Sequence, residues 1–201
     1  MKWTSTMLVL GLMLCSHTQA IEYNQVQVNQ SALTFGYKQM GVAMDGSFKQ
    51  FTAQVRFDPA RLANAQARIE VTLDSIDTGL KDADEEVAGK LWFNTRVYPL
   101  ASFFSTGIRP LGGGRYQATG KLTIKGRTLE VTTPVTFQGA GNRGVLDGNF
   151  TLQRTAYAIG EGEWRDLGTV ADDVQIKFHL VVFAAPAVAP TSSNLPPRKK
   201  P

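Results

Sequence analysis

Residues 75–99, Ser75-Ile-Asp-Thr-Gly-Leu-Lys-Asp-Ala-Asp-Glu-Glu-Val-Ala-Gly-Lys-Leu-Trp-Phe-Asn-Thr-Arg-Val-Tyr-Pro99, read as a helix in a chain that otherwise reads as strands. Asp82, Asp84, Glu85 and Glu86 place acids in a first turn, where the helix dipole favours them. Val87, Leu91, Trp92 and Phe93 then fall at helical spacing, so the far end carries the apolar face. The spacing predicts a helix over about 83–94, and Pro99 ends the segment and prepares a strand. One short helix with an aromatic end, set among strands, predicts a lid or plug on a barrel.

Upstream, Tyr23–Val28 and Ser31–Gln39 alternate polar and apolar, with Leu33, Phe35 and Tyr37 sharing a face. Met40–Gly46 reads as a break. Gln50–Phe57 alternates again through Phe51, Ala53, Val55 and Phe57, and Phe48 is out of phase, which predicts a bulge or bend near Lys49. Asp58-Pro59 opens a turn, and Gln66–Ile76 reads as one long strand with Ile69, Val71 and Leu73 inward. Downstream, Ala101–Arg109, Arg115–Ile124, Thr128–Phe137, Val145–Arg154 and Asp172–Phe183 read as strands, separated by Gly-rich turns. The loop Tyr157–Gly168 holds Trp164. Short antiparallel strands with tight turns predict a closed barrel, which removes exposed edges. At eight strands, side chains either fill such a barrel or leave room for one ligand. Small residues at inward phase (Ala53, Ala101, Ser105, Ala118, Gly120) beside large ones are compatible with an elongated apolar cavity, with an ordinary packed core as the alternative.

The chain opens with Met1-Lys2, an apolar run from Met7 to Cys15, and Thr18-Gln19-Ala20, the pattern of a cleavable secretory leader cut after Ala20. The run is too short to span a bilayer. Cys15, the single cysteine, then leaves with the leader; Leu14 before it is larger than lipoprotein processing wants. From Ala184 the Pro-rich and finally basic stretch cannot build a core and reads as a disordered tail, solubilising or weakly drawn to anionic headgroups. The domain expected is 21–183. The chain carries a formal +4. Lys2 lies in the leader and Arg198, Lys199 and Lys200 lie in the tail, and the remaining basic and acidic side chains balance. A basic face for nucleic acid is therefore not expected.

Gly139-Ala-Gly141-Asn-Arg-Gly144 matches the dinucleotide-binding pattern, but a strand rather than a helix follows it, so it reads as a hairpin turn. His17 lies in the leader. His179 shares a solvated face with Gln175 and Lys177, which leaves few ligands for zinc or haem. No nucleophile–base pair is evident. The acids Asp82–Glu86 lack the spacing and central Gly of a calcium loop. Asp74 and Asp77 are placed to accept turn amides.

The matches to a known family run in order along the domain: Phe35-Gly-Tyr-Lys-Gln-Met-Gly-Val, Gly46-Ser-Phe-Lys-Gln-Phe and Phe57-Asp-Pro; Ser75-Ile-Asp-Thr-Gly79; Trp92-Phe93 and Tyr98-Pro99. They continue through Phe103-Phe-Ser-Thr106, Pro110 to Tyr116, Gly120-Lys-Leu-Thr-Ile-Lys-Gly126, Arg154 to Tyr157 and the last strand. In these the chain resembles the YceI family of periplasmic polyisoprenoid-binding proteins. The resemblance implies an all-β, eight-stranded antiparallel, lipocalin-like barrel with the helical excursion beside its mouth. It implies an isoprenoid tail inside, as in quinones or polyprenyl phosphates, held by buried apolar area at roughly 25 cal/mol per Å² before ordering costs. Many members carry Arg-Asp-x-His-Leu at the helix start, where this chain has Ala83, Asp84, Glu85, Glu86 and Val87. The lost basic groups make a pyrophosphate a poor ligand and favour a neutral quinone or fatty amide. This version resembles the branch found with b561-type cytochromes, which implies such a membrane partner.

The expected function is a soluble periplasmic carrier of an isoprenoid or fatty-type lipid, not an enzyme, with the lipid or quinone as ligand and no metal or other cofactor. The expected wall comprises Leu33, Phe35, Tyr37, Val55, Phe57 and Val71 from the first half, and Phe103, Leu122, Ile124, Phe150 and Phe178 from the second. Trp92 and Phe93 help close the mouth; Trp164 either does the same or simply covers the barrel end. The alternative is a filled barrel that dimerises through Val181 and Phe183, which face away from the apolar set. Monomer and homodimer both remain open.

Overall fold

Val174, Ile176, Phe178 and Leu180 alternate with Gln175, Lys177 and His179, and this period of two sets which side of the last strand meets the interior. The computed structural model describes residues 21–185. The expected leader with Cys15, His17 and the cut after Ala20 lies outside the described residues, as do residues 186–201 of the expected tail. Among these residues one antiparallel sheet carries eleven strand segments, and the single α-helix, α1, spans Lys81–Ala88.

The eleven segments build eight walls, because three walls are bent. β1 (Tyr23–Val26) and β2 (Ala32–Gln39) form the first, broken by a 3-10 turn at Val28–Gln30. Both halves pair with β11 (Asp173–Ala184). β3 (Val42–Phe48) and β4 (Phe51–Arg56) form the second, bent at Lys49–Gln50 where the phase of Phe48 predicts it. β5 (Gln66–Thr72) and β6 (Ile76–Asp77) form the third, broken by a 3-10 turn at Leu73–Ser75. The expected single strand Gln66–Ile76 is thus two segments with different partners: β5 pairs with β4, and β6 with β3. Ser75 holds this corner; its Oγ donates to the Thr72 carbonyl at 2.6 Å and accepts the Gln50 N–H at 3.0 Å.

The remaining walls are β7 (Leu100–Gly112), β8 (Arg115–Ile124), β9 (Arg127–Ala140), β10 (Arg143–Gln153) and β11, each paired with the next. β5 joins β7, and β11 joins β2. The sheet therefore curls until both of its ends meet in the bent wall β3/β4. Tyr23 and Phe57 exchange backbone hydrogen bonds of 2.8 and 2.9 Å and draw the lower ends together.

The expected break at Met40–Gly46 is instead a hairpin turn followed by β3. Met40 and Gly41 both have positive φ, +48° and +80°, which matches the twist of a two-residue hairpin. Asp45-Gly46-Ser47 hides the strand, since such residues are rare in strands. Gly46 is needed there, because a Cβ would lie 2.3 Å from the Phe35 ring. The Gly139–Gly144 motif is a hairpin turn, with Ala140 opposite Arg143.

α1 is shorter than expected. Gly89 adopts extended backbone angles and stops it at Ala88. Asn94, at φ +52°, then reverses the chain, its N–H bonding the Gly89 carbonyl at 2.8 Å. Trp92 and Phe93 thus sit on tight turns after the helix, not on it. At the front, Asp84 accepts both the N–H and the hydroxyl of Thr78 at 2.7 Å. Asp77 accepts the Gly79 N–H at 3.1 Å, as its place at the turn predicts. Among the described residues no helix is long and apolar enough to cross a membrane.

Val181 corrects another expectation. It is 1% exposed, covered by the bend between β1 and β2, where Gln27 donates to its carbonyl at 2.8 Å and Ser31 Oγ accepts its N–H at 3.0 Å. Phe183 is half-buried opposite Gln25 and Arg143. The outward pair does not form an exposed dimer patch.

Candidate functional site

Inside the barrel lies a cavity of about 460 Å³, within the range of small-molecule sites. Its wall is nearly all apolar. Several inward side chains, including Phe103, Phe150, Ile176 and Phe178, remain only half-buried although they face the interior. The void lies between these walls, so the interior is hollow and the filled-barrel alternative does not describe it.

The expected wall residues all border this void: Leu33, Phe35 and Tyr37 from β2, Val55 and Phe57 from the end of β4, Val71 from β5 and Phe103 from β7. Leu122 and Ile124 border it from β8, Phe150 from β10 and Phe178 from β11, while Trp92, Phe93 and Trp164 reach it from the turns and loop at the mouth. Sequence reasoning missed Phe48, Gln39 and Arg154. Phe48 enters through the bend that spoils its phase, and Arg154, though it opens one of the matched stretches, has no local pattern that places it under the mouth.

Rings make the floor. Phe57 meets Tyr116 edge-on at 5.1 Å between centroids and Phe137 at 4.9 Å, and Phe137 meets Tyr23 at 5.0 Å. Such contacts add about 0.5–1.5 kcal/mol each beyond area burial. Tyr23 also donates its hydroxyl to the Gly141 carbonyl at 3.0 Å, fixing the floor to the β9–β10 turn.

The opposite end is the mouth, flanked by α1, the tip of β2 and the loop 154–172. Trp92, 8% exposed, lies against Trp164 at 5.4 Å, and the Trp164 indole N–H donates to Glu86 Oε1 at 2.8 Å. Beneath them Arg154 is 1% exposed and stands 5.5 Å from the Trp92 ring centre. Its guanidinium donates to five backbone carbonyls between 2.8 and 3.1 Å: Ile159, Gly160, Trp164, Val170 and Ala171. Burial pushes its pKa below the ordinary arginine range, partly offset by Asp172. The charge thus fastens the loop and has no donor left for a ligand. Lys125 adds a second tie, donating to the Ala158 carbonyl at 2.6 Å and Glu161 at 3.0 Å. The Glu161 carboxyl is held below its usual range, mainly by that hydrogen bond.

The other charged groups bordering the cavity are Asp82 and Glu86, both acidic. Burial, and then Asp84, push the Tyr37 hydroxyl above its ordinary pKa, so it stays neutral at the mouth. Among the described residues two buried side-chain donors have no hydrogen-bond partner, the Trp92 indole N–H and the Tyr157 hydroxyl. His179 is half-exposed on the outer wall, 2.6 Å from Asp147. Among the described residues no group of three or more His, Cys, Asp or Glu is placed to hold a metal ion.

The YceI-like domain matches residues 24–182. A UPF0312 protein of Yersinia pestis is 28% identical over 165 residues, covering 78% of this chain and 83% of the relative. The crystal structure of Burkholderia cenocepacia BcnA superposes with a TM-score of 0.76 at 46% identity, covering 78% of this chain and 99% of that one. A polyisoprenoid binding domain from Saccharophagus degradans, implicated in plant cell wall breakdown, shares the fold at a TM-score of 0.60 and 16% identity, covering 83% of this chain and 100% of its own.

Proposed function

The chain belongs to the YceI-like domain family, and on that premise we propose that it binds and carries a long apolar lipid, of isoprenoid type, inside the barrel. The observation that carries this reading is the hollow interior, an apolar-walled cavity of about 460 Å³ in a domain of this size. A ligand made mainly of CH groups gains from burial there and asks for no polar partners along the wall. The name of the Saccharophagus degradans neighbour supports the isoprenoid class. The role is binding rather than catalysis. A periplasmic location follows from the leader, and hand-over to a b561-type membrane cytochrome from the resemblance.

The head group is neutral in this reading. Asp82 and Glu86 border the mouth, and Arg154, the basic side chain that borders the cavity among the described residues, is spent on five carbonyls. A phosphate beside those carboxylates would meet like charge, and no basic side chain with a spare donor lines the cavity among the described residues. Quinones, free polyprenols and fatty amides fit; polyprenyl phosphates do not.

Native mass spectrometry of protein purified from its own host tests this, followed by delipidation and challenge with a quinone, a polyprenol and a polyprenyl phosphate of equal length. The expected result is a co-purifying neutral lipid, and uptake of quinone and polyprenol in clear preference to the phosphate. A clean apo species that takes up none of the three overturns the reading.

A further inference from the structure

The ladder between β9 and β10 is incomplete. β9 stays paired with β8 from Arg127 to Thr136, and β10 stays paired with β11 from Arg143 to Gln153. Between β9 and β10, pairing runs from Ala140–Arg143 up to Val135–Gly148 and then stops. Above that point Thr128–Pro134 and Asn149–Gln153 are two strand edges with no ladder between them. Pro134 has no N–H to offer, a feature of edge strands rather than central ones. Thr133 Oγ1 donates instead to the Asn149 carbonyl at 3.1 Å. At the upper end the edges are tied again, by Arg127 to the Ala156 carbonyl at 3.4 Å and by Lys125 to Ala158. The wall therefore contains a seam, pinned at both ends and closed by side chains alone.

The seam borders the cavity, which Thr133, Phe150 and Leu152 line from within. On the outer face, at its foot, is a recess of about 370 Å³ whose walls include Pro134, Gly148, Asn149 and Phe178. Phe178 also borders the inner cavity, so the two spaces share a wall residue.

We propose that this seam is a lateral portal through which a flexible linear chain enters and leaves the cavity. The inference rests on the lipid-binding reading and adds its route. Opening the mouth means parting the two tilted indoles in contact, the Trp164–Glu86 bond and a loop held by five bonds from Arg154. Opening the seam means turning apolar side chains and breaking the one Thr133 bond. Fewer hydrogen bonds break along that route, so the seam is the lower barrier. It also stops a strand from docking, since an added strand would have to run out through the pinned ends.

The test uses two double-cysteine variants of the mature protein, whose only natural cysteine, Cys15, lies in the leader. Thr132→Cys with Thr151→Cys spans the seam, at exposed positions that the β9–β10 register, continued upward, sets opposite each other. Glu85→Cys with Glu163→Cys spans the lid, each beside the Trp164–Glu86 bond. Each folded variant is delipidated and linked with a reducible bis-methanethiosulfonate, and uptake of diphenylhexatriene is followed by fluorescence. Linking the seam is expected to slow uptake by about tenfold or more, reversed on reduction, while linking the lid changes it by less than about twofold. Unchanged uptake with the seam linked, or slowing by the lid link instead, overturns the portal and leaves the lipid reading standing. No uptake by the unlinked protein overturns both.

Discussion

Ala118→Leu tests the hollow by the sign of a stability change. Ala118 is 7% exposed, sits on β8 between Ile108 of β7 and Thr133 of β9, and borders the cavity. Leucine adds three carbons. In a filled core these overpack and cost roughly 1–3 kcal/mol. In a hollow they enter existing space, and at about 0.8 kcal/mol per buried carbon the gross gain is about 2.4 kcal/mol. Rotamer entropy removes about 0.5–1 kcal/mol, leaving a net gain of about 1.5 kcal/mol. For a domain of this size that raises Tm by roughly 3–6 °C. Calorimetry of delipidated protein reads the Tm, and native mass spectrometry reads the lipid carried by the same variant, which should fall as the void shrinks. A Tm lowered by several degrees with lipid occupancy unchanged would refute the hollow as a binding space.

Arg154→Met leaves five carbonyls without their donor and should cost more than about 3 kcal/mol, with the loop 158–171 becoming the first site of limited proteolysis. Trp164→Phe keeps an aromatic ring, though a smaller one, and removes the N–H donated to Glu86; it should raise amide exchange in that loop while costing about 1–2 kcal/mol globally. Glu161 and Asp77 have folded pKa values below their ordinary ones, the first chiefly through Lys125 and the second through Lys49. Their contribution is complete above the usual carboxylate range and is lost as pH falls through the lowered values, so denaturant midpoints should decline from pH 5 to pH 3. Lys125→Met should flatten that decline.

The walls were legible wherever one face meets the interior and the other meets water. β8 and β11 fall where the alternation of Tyr116–Ile124 and Val174–Val182 puts them. Bends were legible only through broken phase, as at Phe48, and a strand made of Asp45-Gly46-Ser47 was not, because its identity comes from pairing with β2 rather than from propensity. Val87, Leu91 and Trp92 mimic helical spacing, yet Gly89 and Asn94 turn the chain between and after them. Val181 has outward phase but is covered by a segment 150 residues away. For the site, alternation told which side chains point inward but not how far apart opposite walls stand. Arg154 was illegible for a similar reason: its acceptors are assembled by the fold of a loop whose members reach as far as Ala171.

The floor of rings has a bearing on the size of the cargo. Tyr23, Phe57, Tyr116 and Phe137 form a stop that no tail can push past without dismantling the bottom of the barrel. The vessel thus measures its contents like a ruler held against a wall. Tails up to one length seat fully, and each further unit must double back or protrude, so affinity should climb with chain length and then level off at a value set by depth alone.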